Sequence, residues 1–357
     1  MSTEKLAVLG GTAVVPAGFP FKVWPQVTAE DEELVLASLR GTSHAWGPNC
    51  VKLQEEFAKW NGNKFCAATN SGTAALHMGL AACDIGAGDE VIVTCLSWTS
   101  SATCILHHNA IPIFVDVDWA TMHMDPSKIE AAITEKTKGI LVVHYWGVAC
   151  DMEAIMAIAR KHRLAVIEDA CQAHGALFKG RKVGTFGEVG AFSLNQNKNF
   201  CGGEGGFYVT DDEPRYIKGR AIMNFGEMRA PESNRDFHSY GMGWMYRTSD
   251  LPAAFARGQL RKLDATNAQA QANWAQLHEG LAGAPHLVRP YTSADRPTNG
   301  YAYVVRTDPA YAAKRGVTAR ALSDGVAAAI RAEGVAVNPA RWLLPAHTVF
   351  QARNGYG

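Results

Sequence analysis

The chain has 357 residues, of which 47% are hydrophobic and 19% are charged, as in a well-packed globular protein. Lys plus Arg and Asp plus Glu number 34 each, so no net charge draws the chain to nucleic acid or an anionic membrane. The start lacks the layout of a signal peptide, and no apolar run approaches the roughly 20 residues that span a bilayer. Eight scattered cysteines without a C-x-x-C pair predict free thiols in the cytoplasm and no metal site.

The predicted elements begin with an extended segment and two helices, and then alternate. Residues 1–27 are rich in glycine and proline, and helices are predicted over 28–39 and 51–60. From residue 65, short apolar runs alternate with helical segments, which is typical of a largely parallel α/β sheet. The seven predicted strands are 65–68, 91–93, 111–117, 139–143, 165–167, 191–193 and 207–210, the last returning as a hairpin.

The pattern changes near residue 245. A long helix is predicted from about 249 to 277, followed by a strand at 301–306 and a helix at 318–333. We therefore predict an extended segment (1–27), a large domain (28–245) and a smaller C-terminal α+β domain (246–357).

Lys198 is the most informative residue. It stands between two asparagines, directly after a predicted strand and just before the glycine-rich run 202–206. A lysine amine in such a place can form the Schiff base that pyridoxal 5'-phosphate requires. From this residue alone, a solvated surface lysine is an equally good interpretation.

Asp169 ends the apolar strand that precedes this lysine. Ligands of α/β sheets gather at the carboxyl ends of strands, and a carboxylate there can keep the ring nitrogen of the cofactor protonated. The alternative is an ordinary helix N-cap. The neighbouring Glu168 is expected on the opposite face, because side chains alternate along a strand.

Gly72 and Thr73 begin a predicted helix after Ser71. Backbone N–H groups at a helix start bind phosphate, and glycine allows close approach. Ser193, at the end of the strand that leads to the lysine, can add a hydroxyl. A simple capped helix is the alternative interpretation.

Two further side chains are candidates for the cofactor ring. Trp98, after the second predicted strand, can stack on the ring, although a core tryptophan is equally consistent with the pattern. Gln172 can donate to the phenolic oxygen. No one of these residues decides the prediction. Their combination does, because all of them are expected at the same edge of one sheet.

With these residues in this order, the sequence resembles the DegT/DnrJ/EryC1/StrS sugar aminotransferases, which have the aspartate aminotransferase-like fold (fold type I). The opening, Leu9-Gly10-Gly11-Thr12 with Trp24-Pro25, is similar to the branch with aminocyclitol aminotransferases and aminohydroxybenzoate synthases. The other matching stretches are 70–76, 88–93, 115–118, 168–176, and 192–193 through Lys198 to 203–206.

The resemblance implies ping-pong transamination from glutamate or glutamine to a ketosugar or ketocyclitol in amino-sugar or aminocyclitol (antibiotic) biosynthesis. It implies a homodimer with active sites at the interface. It also implies that Lys198 carries the cofactor and that the other candidates hold it: Gly72, Thr73, Trp98, Asp169, Gln172 and Ser193. A dehydratase or aromatising enzyme of the same fold, and a cofactor-binding regulatory protein without turnover, remain as alternatives.

Two departures from the family pattern stand out. Met245 occupies the place of an asparagine that in the family reaches across the dimer to the cofactor phosphate, and the chain stops at Gly357 where relatives continue. We therefore expect either an incomplete small domain or a clipped sequence. Candidate substrate contacts, chosen by polarity and position, are Trp46, His144, Tyr145, Tyr301, Arg341 and His347.

Overall fold

The structure, a computed structural model, describes residues 5–228, 237–338 and 343–352. The helices are α1 (Ala29–Arg40), α2 (Pro48–Asn61), α3 (Gly72–Ala82), α4 (Ser100–Leu106), α5 (Met152–His162), α6 (Glu213–Met223), α7 (Asp250–Gly280), α8 (Pro309–Lys314), α9 (Ala319–Ala332) and α10 (Thr348–Gln351). The strands are β1 (Phe65–Thr69), β2 (Glu90–Thr94), β3 (Ile111–Val115), β4 (Thr137–Val143), β5 (Ala165–Asp169), β6 (Leu177–Phe178), β7 (Arg181–Lys182), β8 (Val189–Ser193), β9 (Gly206–Thr210), β10 (Leu287–Val288) and β11 (Arg306–Thr307). Among the described residues, no helix combines the length and apolar character that crossing a bilayer requires.

Seven strands form one sheet in the order β1-β9-β8-β5-β4-β2-β3. Strand β9 is antiparallel to both of its neighbours, β1 and β8, and the other pairs are parallel. Six strands therefore run in one direction, which confirms the predicted mostly parallel sheet and the hairpin return of its last strand. The carboxyl ends of these six strands lie at one edge of the sheet, where ligands of such folds bind.

Helix α3 lies close on the sheet because it is built from small residues. Ser71 caps its start by accepting a hydrogen bond from the Ala74 N–H at 3.1 Å. A Cβ added at Gly79 would lie only 2.9 Å from a methyl group of Val189 on β8. Glycine at this position therefore lets the helix axis approach the strand, and a larger residue would push α3 away from β8.

A cluster of phenylalanines anchors the loop after β8 on both sides. The Phe57 ring stacks on Phe207 at 3.9 Å and meets Phe192 edge-on at 5.0 Å between ring centres. Phe192 directly precedes the last residue of β8, and Phe200 follows Lys198 by two residues; both are fully buried. Burial of these rings, each worth a few kcal/mol, fixes the two ends of the loop that carries Lys198.

The chain divides into two compact units whose limits differ from the predicted domains. One comprises 27–274, 292–302 and 342–357, and the other 1–26, 275–291 and 303–341. The division falls within α7 and not near residue 245, because this helix continues without a break.

The second unit includes the N-terminal segment for a specific reason. The Glu333 carboxylate accepts the backbone N–H groups of Ala7 at 2.8 Å and Val14 at 3.1 Å. Strands β10 and β11 pair antiparallel in this unit. The strand predicted over 301–306 is thus mostly irregular, and only its last residue lies in a strand.

Candidate active site

The seven predicted site residues all lie at, or follow, the carboxyl ends of strands that run in the same direction. They are Gly72 and Thr73 at the start of α3 after β1, Trp98 after β2, Asp169 at the end of β5, Gln172 after it, Ser193 at the end of β8, and Lys198 in the loop after β8.

The start of α3 approaches β8 too closely for any side chain at Gly72. A Cβ added there would lie 2.6 Å from the Cys171 Sγ atom and 2.9 Å from the Ser193 Cβ atom. A Cβ at Gly206 would likewise lie 2.6 Å from the Ser71 carbonyl carbon. The first N–H groups of a helix lack intrahelical acceptors, so the backbone here and the Ser193 hydroxyl form a cradle suited to a phosphate.

Asp169 is 5% exposed and is held from two sides. Its Oδ2 atom accepts from the Ser101 hydroxyl at 2.7 Å, and its Oδ1 atom accepts from the Cys171 N–H at 3.1 Å. The Ser101 hydroxyl also pairs with that of Ser97 at 2.7 Å. Helix α4 therefore fixes the direction of this carboxylate at the sheet edge.

Glu168 has separate partners. Its carboxylate is fully buried and accepts the N–H groups of Gly184 and Gly187, each at 2.7 Å, and of Phe186 at 2.6 Å. The His144 Nε2 atom lies 3.0 Å from its Oε2 atom. This set of donors gives Glu168 a structural role, and it removes His144 from the candidate substrate contacts.

Lys198 is half-buried, which excludes a fully solvated surface lysine. Its Nζ atom donates to the Tyr301 hydroxyl at 3.3 Å. Burial raises the pKa of the Cys171 thiol well above its usual value; the Asp169 charge raises this pKa further, and the Lys198 charge lowers it. The Cys171 thiol therefore lies within electrostatic range of both the amine and the carboxylate.

His174 lies within electrostatic range of the same amine. Burial, and secondly the positive charge of Lys198, lower the pKa of His174 to about 3. The imidazole is therefore neutral at physiological pH, and its ring lies 5.4 Å from the Phe192 ring.

Gln172 is oriented by the turn after β4. Its Oε1 atom accepts from the Trp146 N–H at 2.9 Å, so the NH₂ end of the carboxamide is the end that can donate to a ligand. Trp146 has φ 56°, a left-handed conformation that is costly for a large residue. That conformation presents the Trp146 N–H to the glutamine.

Trp98 is 57% exposed. This exposure excludes the alternative that it is a core tryptophan, and it leaves a ring surface at the sheet edge.

The remaining substrate candidates are scattered. Tyr145 is 2% exposed and stacks on the Trp146 ring, and Trp46 packs partly buried against the core. His347 precedes α10, and Arg341 lies outside the described residues. Tyr301 is tied to the site by its contact with Lys198.

Sequence reasoning missed four residues of the site. Ser101 could have been found, because it follows Ser97 at i,i+4 spacing beside Trp98. Asn199, Asn267 and Asn299 bond to one another or to the loop after β5. These asparagines lie up to 100 residues apart in the chain, and no local pattern connects them.

The sheet order and the residues at its edge define the class of protein: an α/β fold of the aspartate aminotransferase type. The chain belongs to the DegT/DnrJ/EryC1/StrS aminotransferase family, whose profile matches residues 25–339. It is 39% identical over 324 residues to the L-glutamine:2-deoxy-scyllo-inosose aminotransferase of Streptomyces lividus, covering 85% of this chain and 74% of that protein. It is also 39% identical over 288 residues to the L-glutamine:scyllo-inosose aminotransferase of Streptomyces griseus, covering 74% and 65%.

Solved structures agree. An aminotransferase from Psychrobacter cryohalolentis superimposes with a TM-score of 0.77 at 36% identity, covering 82% of this chain and 78% of that one. The 3-amino-5-hydroxybenzoic acid (AHBA) synthase superimposes with a TM-score of 0.77 at 29% identity, covering 80% and 75%. The chain is therefore an aminotransferase, and its cofactor is pyridoxal 5'-phosphate.

Proposed function

We propose that this aminotransferase moves the amino group of L-glutamine to the ketone of a cyclitol or sugar, in the biosynthesis of an aminocyclitol or amino sugar. The donor and acceptor are suggested by the names of the relatives in Streptomyces lividus and Streptomyces griseus. One observation carries the assignment to this site: Asp169 ends β5 and the half-buried Lys198 follows β8, and these two strands are parallel neighbours in the sheet.

The side chains and backbone at the edge fit the cofactor group by group. The N–H groups of Gly72 and Thr73, with the Ser193 hydroxyl, are suited to its phosphate. The Asp169 carboxylate suits the ring nitrogen, because a fixed negative charge keeps that nitrogen protonated. When bound, the cofactor supplies an electrophilic aldehyde and an electron-withdrawing ring.

The remaining three candidates complete the site. The Gln172 NH₂ group is suited to donate to the phenolic oxygen, and the exposed Trp98 ring is suited to cover one face. Lys198 would hold the cofactor through its amine and, once displaced by the amino donor, would carry a proton between the donor carbon and the cofactor. A site used in turn by donor and acceptor predicts ping-pong kinetics.

The proposed test is covalent attachment at Lys198. Borohydride reduction of the holoenzyme, followed by peptide mass analysis, should find the cofactor on Lys198, and L-glutamine should shift its visible absorbance. Lys198→Ala should lose both. Lys179→Ala removes a surface lysine that pairs with Glu153 and should keep both, because surface ion pairs contribute little. Attachment to another lysine would overturn the proposal.

The acceptor can be identified with a panel of inososes, free ketosugars, sugar phosphates and nucleotide sugars. The L-glutamine carries ¹⁵N at its α-amino group and not at its side-chain amide. We expect this ¹⁵N to appear in a cyclitol or sugar product. The AHBA synthase likeness keeps a dehydrating or aromatising reaction as the second candidate. Loss of water from the test compound without uptake of ¹⁵N would favour it.

We further propose that the chain is a homodimer and that a second copy covers the segment formed by residues 224–228 and 237–247. Six large side chains in this segment are 42–77% exposed, namely Phe225, Met228, Phe237, Tyr240, Met242 and Met245. Apolar surface of this density is typical of an interface. The segment also touches the start of α3, since the Asn70 N–H donates to the Tyr246 carbonyl at 2.7 Å.

Met245 in particular turns an exposed side chain outward, while its carbonyl accepts from the Asn70 amide at 3.4 Å. A partner seated here would lie beside the phosphate cradle.

Light scattering should give twice the chain mass of 38.5 kDa. Phe237→Glu with Met242→Glu should shift the protein toward the single-chain mass, whereas Leu277→Glu, an exposed leucine elsewhere, should not. A wild-type protein of single-chain mass at micromolar concentration would contradict the dimer. A cytoplasmic location stays a prediction.

A further inference from the structure

The contact between Lys198 and Tyr301 joins residues 103 positions apart. The Lys198 Nζ atom donates to the Tyr301 hydroxyl at 3.3 Å and lies 5.1 Å from the centre of its ring. Tyr301 belongs to the short stretch 292–302, which packs with the large unit although most of the chain around it belongs to the other. Specific contacts must therefore hold the stretch 292–302 in place.

Asn299 fixes it. This side chain is fully buried, and its Nδ2 atom donates to the carbonyls of Gln172 at 3.1 Å and His174 at 3.2 Å. Its Oδ1 atom accepts from the Tyr301 N–H at 2.9 Å. A side chain at Gly147 would overlap this Oδ1 atom, so glycine leaves the space that the amide fills. The tyrosine backbone is therefore tied to the loop after β5.

The other end of the contact is tied to the same residue. Asn199, the neighbour of Lys198, donates from Nδ2 to the Asn299 carbonyl at 3.0 Å and to the Asn267 Oδ1 atom at 3.0 Å. Asn267 in turn donates to the His174 carbonyl at 2.9 Å. The backbone beside the lysine and the backbone beside the tyrosine are thus linked by hydrogen bonds that do not involve either side chain.

We propose that Tyr301 is a catalytic residue, whose hydroxyl accepts one N–H of the Lys198 amine and so restricts the direction of the lone pair that takes the proton. This inference rests on the proposed function, in which that amine moves the proton. A free amine rotates about its Cε–Nζ bond, and most rotations point its lone pair away from the reacting carbon. One fixed N–H excludes the lone pair from one of its staggered positions and so reduces that freedom before the reaction, which is how preorganised groups lower a barrier.

The step that Tyr301 assists is a balanced proton transfer. The C–H bond at the α-carbon of the amino donor breaks as an N–H bond forms at Lys198 Nζ, and the electron pair of the C–H bond stays on the carbon side. Tyr301 neither gains nor loses a proton in this step. Its hydroxyl holds the amine in place while the amine becomes an ammonium, and the ring that lies alongside favours the resulting positive charge.

The test is Tyr301→Phe in the holoenzyme, with two readouts. The first is the rate at which L-glutamine changes the cofactor absorbance in a single turnover. The second is the exchange of the α-hydrogen of L-glutamine with D₂O, followed by NMR. We expect both to fall about ten- to a hundredfold, since positioned proton transfer contributes at least that much. Attachment of the cofactor to Lys198, measured by borohydride reduction and peptide mass, should be unchanged.

Tyr208→Phe is the matched control. Its hydroxyl is buried and donates to the Arg215 carbonyl at 2.9 Å, so this variant also loses one phenolic hydrogen bond, and it should exchange the α-hydrogen at the wild-type rate. Wild-type exchange in Tyr301→Phe would overturn the proposal. Slow exchange with an equal loss of attachment would also overturn it, because it would leave Tyr301 only a structural role. If Lys198→Ala keeps attachment and exchange, the proposed function itself fails.

Discussion

Two neighbouring carboxylates at the end of β5, those of Glu168 and Asp169, have the same functional group but differ in their hydrogen-bond donors. Glu168 is enclosed by three backbone N–H groups and His144. Asp169 has one hydroxyl and one N–H. Both are buried, so burial by itself does not separate a structural acid from a reactive one. The number of donors does, because a carboxylate whose lone pairs are all used inside the protein has none left for a ligand.

The largest effect is expected at Asp169. Asp169→Asn keeps the shape and one of the two acceptor oxygens but removes the negative charge, so turnover should fall about a hundred- to a thousandfold. The free energy of unfolding should change much less. Steady-state rates with L-glutamine, together with urea denaturation, would measure both. Turnover within a few-fold of wild type would remove the distinction between the two acids.

Glu168→Gln should show the reverse pattern. The neutral amide accepts more weakly and brings an NH₂ donor toward N–H groups that also donate, so unfolding should need about 2–3 kcal/mol less free energy. Folded protein should still attach the cofactor at Lys198. Equal stability of this variant and of Asp169→Asn in urea would contradict the structural role.

His174 extends the comparison to a buried base beside a positive charge. Its folded pKa of about 3 lies below the unfolded value of about 6.5. The unfolded chain therefore takes up a proton first as the pH falls, and the contribution of the neutral imidazole is lost between about pH 6.5 and pH 3. Stability should fall by about 1.4 kcal/mol per pH unit from this residue alone.

His174→Gln removes the titrating group and should make the decline of unfolding free energy below pH 6.5 shallower by that amount. If the unfolding free energies of wild type and variant declined equally as the pH falls, the histidine would be protonated in the folded state.

The smallest effect is expected at Ser101. Ser101→Ala removes the hydroxyl that directs the Asp169 carboxylate but leaves its charge, so turnover should fall only about three- to tenfold, the equivalent of roughly one neutral hydrogen bond. Ser38→Ala removes a buried hydroxyl that donates to a different carboxylate, that of Asp250, at 2.6 Å, and serves as the control for turnover. A loss as large as that of Asp169→Asn would mean that position, and not charge, governs this carboxylate.

Much of the fold could be predicted from local pattern. Alternating apolar runs and capped helices identified all seven strands of the main sheet, and the hairpin return of β9 followed from its sequence position. The 2.0 and 3.6 residue periods are local properties, so they survive in the sequence without tertiary information. Helices α6, α8 and α10 were missed.

The limits of the compact units were not predicted, because they depend on contacts between distant residues. Glu333 holds the N-terminal segment across more than 300 positions. The same reason explains why His144 was taken for a substrate contact: polarity and position suggested a ligand, whereas its partner is the buried Glu168.

The sequence by itself determined which strands are parallel and which residues stand at their carboxyl ends. These residues are glycine and serine at the start of α3, aspartate at the end of β5 and lysine after β8. Only the tertiary structure decided which of two neighbouring acids keeps lone pairs for a ligand, and which tyrosine meets the lysine. Periodicity is a local property and places a residue on one face of a strand or helix without any distant contact. The hydrogen bond between Asn199 and Asn299 forms only when folding has brought these distant parts of the chain together.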